Sequence, residues 1–325
     1  MKKTFAIIIS VVLVLTSITG CIKTPDKNNN KKFSIVTTIF PEYDWVREIT
    51  GENNDNVNLT MLIDRGVDLH SFQPNTDDMI TVSTCDMFIY VGGESDKWVD
   101  DALKSAVNKN MVVINLLEVL GENAKEEELI SGMQVEENED EHDDGETEYD
   151  EHVWLSLKNA AVLCEYIGNK LCECLPESKD IYLRNTKSYV KKLNELDSQY
   201  KSAVYSTSKK TLLFGDRFPF RYLVDDYGLD YYAAFAGCSA ETEASFQTII
   251  FLAGKVDELG LNSIMCIEGS NVSIANTIRE NTASKDQKIL TLDSMQSTTA
   301  EDVKNGVTYL SIMQSNLSVL KEALM

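Results

Sequence analysis

Three histidines are the residues of this chain best suited to chemistry at neutral pH: His70, His142 and His152, the only ones in 325 residues. His70 lies in the run Gly66-Val67-Asp68-Leu69-His70-Ser71-Phe72-Gln73-Pro74, just after a β-branched, strand-like segment. His152 lies in Asp150-Glu151-His152-Val153-Trp154. A neutral imidazole nitrogen is a ligand for zinc, and added carboxylate shifts a site toward manganese or iron. A lone histidine is more often structural than a ligand. A histidine at a strand end is better placed, because ligands of open α/β sheets collect outside the carboxyl ends of the strands. Enzyme signatures are absent from the sequence: there is no HExxH, no GxSxG and no phosphate loop. A metal-dependent hydrolase using the same histidines is therefore the weaker alternative.

The elements that would position these residues follow from periodicity. Strand-like runs are expected at Phe33–Ile39, Val57–Ile63, Met87–Val91 and Met111–Asn115, separated by helical patterns at Tyr43–Thr50, Thr76–Thr84 and Lys97–Val107. The alternation recurs at Thr211–Phe214, Tyr231–Phe235, Ser263–Ile267 and Ile289–Leu292, with helices at Pro219–Tyr227, Glu243–Leu259 and Ala275–Thr282. Alternating strand and helix implies parallel sheets. Between the halves, Lys179–Val204 carries Tyr182, Val190, Leu193, Leu196 and Tyr200 at mostly helical spacing. The expected fold class is α/β: two lobes, each with a mainly parallel four-stranded sheet, joined by one long helix, with a cleft between them. The boundaries expected are a signal segment over 1–20, a tether over 21–32, an N-terminal lobe over 33–176 with an acidic loop at 122–151, the linking helix over 177–206 and a C-terminal lobe over 207–325.

Charge narrows the partners. Lys and Arg number 30 against 52 Asp and Glu, a formal net charge of −22. Such a chain repels nucleic acid and attracts cations. Residues 136–151 hold eleven of the acids and no Lys or Arg. That stretch is too charged to bury and is expected to be a solvated loop, with His142 as a transient ligand in a funnel for cations. At the N-terminus, Lys2 and Lys3 precede an apolar run from Phe5 to Leu15, shorter than a bilayer span and fitting an export signal. It leads to Ile18-Thr19-Gly20-Cys21, which resembles a lipobox in which Cys21 is lipidated. The other cysteines, Cys85, Cys164, Cys172, Cys174, Cys238 and Cys266, allow 15 disulfide pairings, so connectivity is not deducible. Apolar surroundings such as Ala161-Val162-Leu163-Cys164 favour buried thiols.

Taken together, Gly66-x-x-x-His70-x-x-x-Pro74 and Asp150-x-His152-Val153-Trp154 resemble the two N-lobe metal motifs of the zinc/manganese-type ABC-transporter solute-binding lipoproteins (cluster A-I). Val36-Thr37-Thr38-Ile39-Phe40-Pro41, Asp86 to Gly93, Lys158-Asn159-Ala160 and Tyr309 to Asn316 resemble further landmarks of that family, over roughly residues 33–325. The resemblance implies two (β/α)4-like lobes with a rigid linking helix and a divalent transition metal in the interlobe cleft. Zinc is favoured over manganese as cargo, delivered to a membrane ABC permease by a lipid-anchored, monomeric, extracytoplasmic binding protein that is not an enzyme. A cell-surface adhesin is the alternative, since some relatives are described as adhesins. The implied ligands are His70, His152 and a C-lobe Asp, which falls on Asp293 after Ile289–Leu292. The remaining ligand, a His or Glu in relatives, falls on Arg217, which cannot bind a metal. Asp216, Glu268, Glu241, Glu243 or water could take its place. Protons would compete for the imidazoles, so affinity should fall below about pH 6.

Overall fold

The computed structural model describes residues 31–51, 54–134, 148–239 and 243–325. Cys21, His142 and Glu241, the export segment and most of the acidic stretch lie outside them.

Among the described residues, eight strands form two sheets. The first lobe runs β1 (Phe33–Thr37), α1 (Phe40–Thr50), β2 (Val57–Met61), α2 (Thr76–Thr84), β3 (Met87–Tyr90), α3 (Trp98–Lys104), β4 (Val112–Asn115) and α4 (Leu116–Leu120). Two long helices follow, α5 (Leu157–Cys174) and α6 (Lys179–Tyr205). The second lobe runs β5 (Thr211–Phe218), α7 (Arg221–Tyr227), β6 (Asp230–Ala236), α8 (Phe246–Leu259), β7 (Ser263–Ile267), α9 (Ser273–Glu280), β8 (Lys288–Leu292), α10 (Ala300–Lys304) and α11 (Tyr309–Ala323). The sheet orders are β2-β1-β3-β4 and β6-β5-β7-β8, with every pairing parallel. Parallel strands bury both faces, which explains why β3 and β7 are buried at every residue.

The expected elements are present with small shifts. Strand β5 runs on to Phe218, and its pairing with β6 shifts register between Phe214 and Arg217. Helix α8 begins at Phe246 rather than Glu243, where Ser245 caps it by accepting from Thr248 N. Helix α5 was not among the expected helices; Gly168 lets it approach α6 closely, since a Cβ there would sit 2.3 Å from Thr186 Oγ1.

Helix α6 has 27 residues, about 40 Å at 1.5 Å per residue. It buries Tyr182, Thr186, Tyr189, Val190, Leu193, Leu196, Tyr200 and Val204. Its N-terminal half rests on the first lobe, where Asn54 donates to Tyr182 Oη (2.7 Å) and Asn185 to the Ile49 carbonyl (3.0 Å). Its C-terminal half holds α11, with Tyr200 Oη donating to the Met313 carbonyl (2.6 Å). Helix α11 in turn packs on α1: Asp44 accepts from Tyr309 N (2.8 Å), and the Trp45 and Tyr309 rings meet edge-on. Apolar burial along α6 thus joins both lobes in one large cluster, beside a smaller separate one within the second lobe. Among the described residues no helix is long and apolar enough to cross a membrane.

Candidate metal centre

The loops that leave the strand ends build the site. After β2, Asp68 accepts from His70 N (3.0 Å) and caps the short turn Leu69–Ser71, which projects the His70 ring. The ring's Nδ1 lies 2.7 Å from Ser95 Oγ and 3.4 Å from Glu151 Oε2. Ser95 N donates to the other oxygen of Glu151 (2.8 Å). Glycine at position 93 makes room for that carboxylate, because a Cβ there would fall 2.5 Å from Glu151 Oε1. His152, fully buried, opens the turn Val153–Leu155. Asp150 Oδ1 accepts from both its backbone N (2.8 Å) and its Nδ1 (3.0 Å). The loop is clamped across the lobes: Trp154 Nε1 donates to the Ser294 carbonyl (2.8 Å) and Tyr222 Oη to the Asp150 carbonyl (2.8 Å).

With each Nδ1 held from behind, the two Nε2 atoms face each other 3.1 Å apart. A carboxylate can only accept, so the His152 Nδ1 carries the proton and its Nε2 presents a lone pair. The same holds for His70 when its Nδ1–H points at Ser95 and Glu151. Two lone pairs at this distance repel unless a proton or a metal ion lies between them. A tetrahedral ion with nitrogens at about 2.05 Å would place them about 3.3 Å apart, close to what is seen. Histidine ligands backed by carboxylates are the usual outer arrangement of a metal site. Burial, the adjacent His152 charge and Arg217 push His70 well below its ordinary pKa. Burial also opposes charge on His152, but Asp150, Glu151 and Asp68 outweigh it and hold its pKa up. The pair therefore takes up one proton far more readily than two.

From the second lobe, the residue that arrives is Cys238. The donor atoms of His70, His152 and Cys238 all lie within 4.8 Å of one another. No C-lobe carboxylate among the described residues joins that group. Cys238 follows β6, and the backbone there presses on the histidine: a Cβ on Gly237 would sit 2.9 Å from the Phe218 carbonyl and 3.1 Å from His152 Cε1. Glu127 accepts from Cys238 N (3.1 Å). Burial, then the charges of Glu127, Asp150 and Glu151, raise the thiol well above its usual pKa. The sequence alone groups Cys238 with the buried thiols. The available signal was its place behind Gly237 at the end of a strand.

The other expected ligands have different surroundings. Asp216 accepts from Arg217 N (2.9 Å) and from Ile267 N (3.1 Å), so it joins the ends of β5 and β7. Arg217 reaches across the crevice to Asp68 (2.7 Å). Glu268 accepts from Ser294 N (2.6 Å), Ser294 Oγ (2.8 Å) and Gln296 N (3.0 Å), and so shapes the loop after β8. Burial and the neighbouring Asp293 raise the pKa of Glu268 to about 7. Asp293 accepts from Met295 N (2.8 Å), and burial raises its pKa too. Glu243 is exposed, its carbonyl accepting from Gln134 Nε2 (3.3 Å). Cys85, Cys164, Cys172, Cys174, Cys238 and Cys266 are all free thiols.

Two parallel α/β lobes, a helix spanning both and converging imidazoles in the crevice define a two-lobed receptor with a candidate metal centre. The chain matches the family described as "Zinc-uptake complex component A periplasmic" over residues 35–323, and it belongs to that family. It is 30% identical over 300 residues to the zinc-binding lipoprotein AdcA of Streptococcus pneumoniae, covering 91% of this chain but only 56% of that relative. It is 28% identical over 327 residues to the high-affinity zinc uptake system protein ZnuA of Bacillus subtilis, covering 98% of this chain and 96% of the other. The crystal structure of the Zn(II)-bound ZnuA-like domain of Streptococcus pneumoniae AdcA superposes with a TM-score of 0.69 at 28% identity, covering 90% of this chain and 99% of that one.

Proposed function

We propose that this chain captures zinc outside the cytoplasm and delivers it to an ABC permease in the membrane, as a binding protein rather than an enzyme. The observation that carries this is the pair of Nε2 atoms 3.1 Å apart in a buried crevice, His152 braced from behind by Asp150 and His70 by the Ser95 hydroxyl with Glu151 nearby. The names of the relatives, which describe zinc binding and zinc uptake, point the same way. The crevice is lined from both lobes, so an ion held there would be released when the lobes part. In this proposal His70 and His152 are the anchoring ligands, and Asp293, the strand-end carboxylate of β8, is the candidate to complete the shell by moving in from outside the present donor group. Asp216 and Glu268 serve as supports, because backbone amides already occupy both oxygens of each. Manganese is the weaker guest. Lipidation at Cys21 would keep the receptor at the membrane surface beside its permease.

Elemental analysis with calorimetric titration tests the proposal. One zinc per chain is expected, bound more tightly than manganese. His70→Ala should lose several kcal/mol of zinc binding, more than ~100-fold at ~1.4 kcal/mol per decade. Unchanged zinc affinity in that variant would refute it.

A further inference from the structure

Resting on that proposal, we infer that the Cys238 sulfur is a direct ligand of the captured ion, supplied by the second lobe in place of the side chain that Arg217 excludes. Three independent features of the crevice converge on it. Among the described residues the sulfur is the only C-lobe His, Cys or carboxylate donor atom that lies within 4.8 Å of both imidazole nitrogens. Its backbone is seated tightly: Gly237 leaves no room for a Cβ between the Phe218 carbonyl and the His152 ring, and Glu127 anchors Cys238 N. The competing position is closed, because Arg217 is a permanent cation tied to Asp68 by a 2.7 Å ion pair.

The dimensions suit a small thiophilic ion. Zinc takes nitrogen at ~2.0–2.1 Å and thiolate sulfur at ~2.3 Å, which sets neighbouring N and S atoms about 3.6 Å apart around a tetrahedron. Modest closure from the observed limit of 4.8 Å achieves this. On binding, the S–H bond breaks, the proton leaves to solvent, and the sulfur lone pair bonds the metal. The ion's charge makes a coordinated thiol give up its proton even in a negative environment. Asp150, Glu151 and Glu127 around the site offset the positive charge of a divalent ion held by two neutral imidazoles and one thiolate. A soft ligand also widens discrimination: thiolate favours zinc and cadmium and disfavours manganese, which prefers oxygen donors.

X-ray absorption spectroscopy on the zinc-loaded full chain reads the shell directly. One sulfur at ~2.3 Å beside nitrogens at ~2.0–2.1 Å is expected. Cys238→Ser should lose that sulfur, bind zinc at least tenfold more weakly, and narrow the preference for zinc over manganese. A shell of nitrogen and oxygen alone in the unaltered chain would overturn the assignment, as would a sulfur that survives Cys238→Ser. Those results leave the parent proposal standing if His70→Ala still weakens zinc binding more than ~100-fold. A chain that takes up no zinc, or keeps it in His70→Ala, would sink both.

Discussion

At the scale of single residues, the centre is organised from behind. Asp150 and the Ser95–Glu151 pair fix the ring orientations of His152 and His70, and those orientations alone bring the Nε2 atoms to 3.1 Å. The same corner holds another buried carboxyl, Asp96, whose Oδ2 accepts from Gly92 N (3.0 Å) while Oδ1 has no partner. Burial raises its pKa from 3.8 to about 7. A carboxyl raised in the folded state stabilises below its unfolded value and loses that contribution as pH climbs through the folded value. Asp96→Asn keeps an acceptor for Gly92 and removes the ionisation. Denaturant melts between pH 4 and 8 should show the variant gaining on the parent as pH rises, by a few kcal/mol at most, at ~1.36 kcal/mol per pKa unit. Parallel curves would show that Asp96 does not titrate in this window.

At the scale of elements, the end of each strand performs a distinct task. The loop after β2 carries His70, the end of β5 carries Arg217 and the loop after β6 carries Cys238; β7 and β8 end in the Glu268–Asp293 pair. Close backbone approach at Gly237 is what lets the β6 loop lie against His152. In Gly237→Ala the new Cβ would have to displace the Phe218 carbonyl or the imidazole. Overpacking of this kind costs about 1–3 kcal/mol. Thermal unfolding should fall accordingly and zinc affinity should fall with it; a variant as stable and as tight as the parent would show that the β6 loop has slack.

Over the whole molecule, the dominant feature is charge. Residues 136–151 supply eleven acids to a chain of formal charge −22. The residues that flank its undescribed part are anchored beside the site: Gln134 N donates to the Ala234 carbonyl (2.9 Å), Asp150 N to the Lys125 carbonyl (2.8 Å), and Tyr149 bridges Glu126. A fair truncation therefore stops at 147 and leaves Glu148–Asp150 in place. Removing 136–147 takes away eight acids and should slow zinc association, most at low salt, while changing equilibrium affinity little. Stopped-flow capture at two ionic strengths measures this. An affinity that fell as far as the rate would make the stretch a source of ligands.

Local pattern alone determined a great deal. Apolar runs of strand length alternating with helical periodicity give two parallel sheets, because period and composition act within a few residues. The long helix is legible for the same reason, from Tyr182 through Tyr200. His70 and His152 are legible as a pair only through resemblance, because Gly66, Pro74 and Asp150 around them match the family's two metal motifs. Contact across the crevice was beyond that reach. The strand end and Gly237 beside position 238 mark a candidate ligand loop, but do not announce that its sulfur comes within 4.8 Å of two imidazole nitrogens from the other lobe. Nothing near Asp216 or Glu268 tells that their oxygens are occupied by amides of neighbouring strand ends. Those assignments depend on distances between segments 26 or more residues apart, which only the packing within the second lobe and of the two lobes against each other sets.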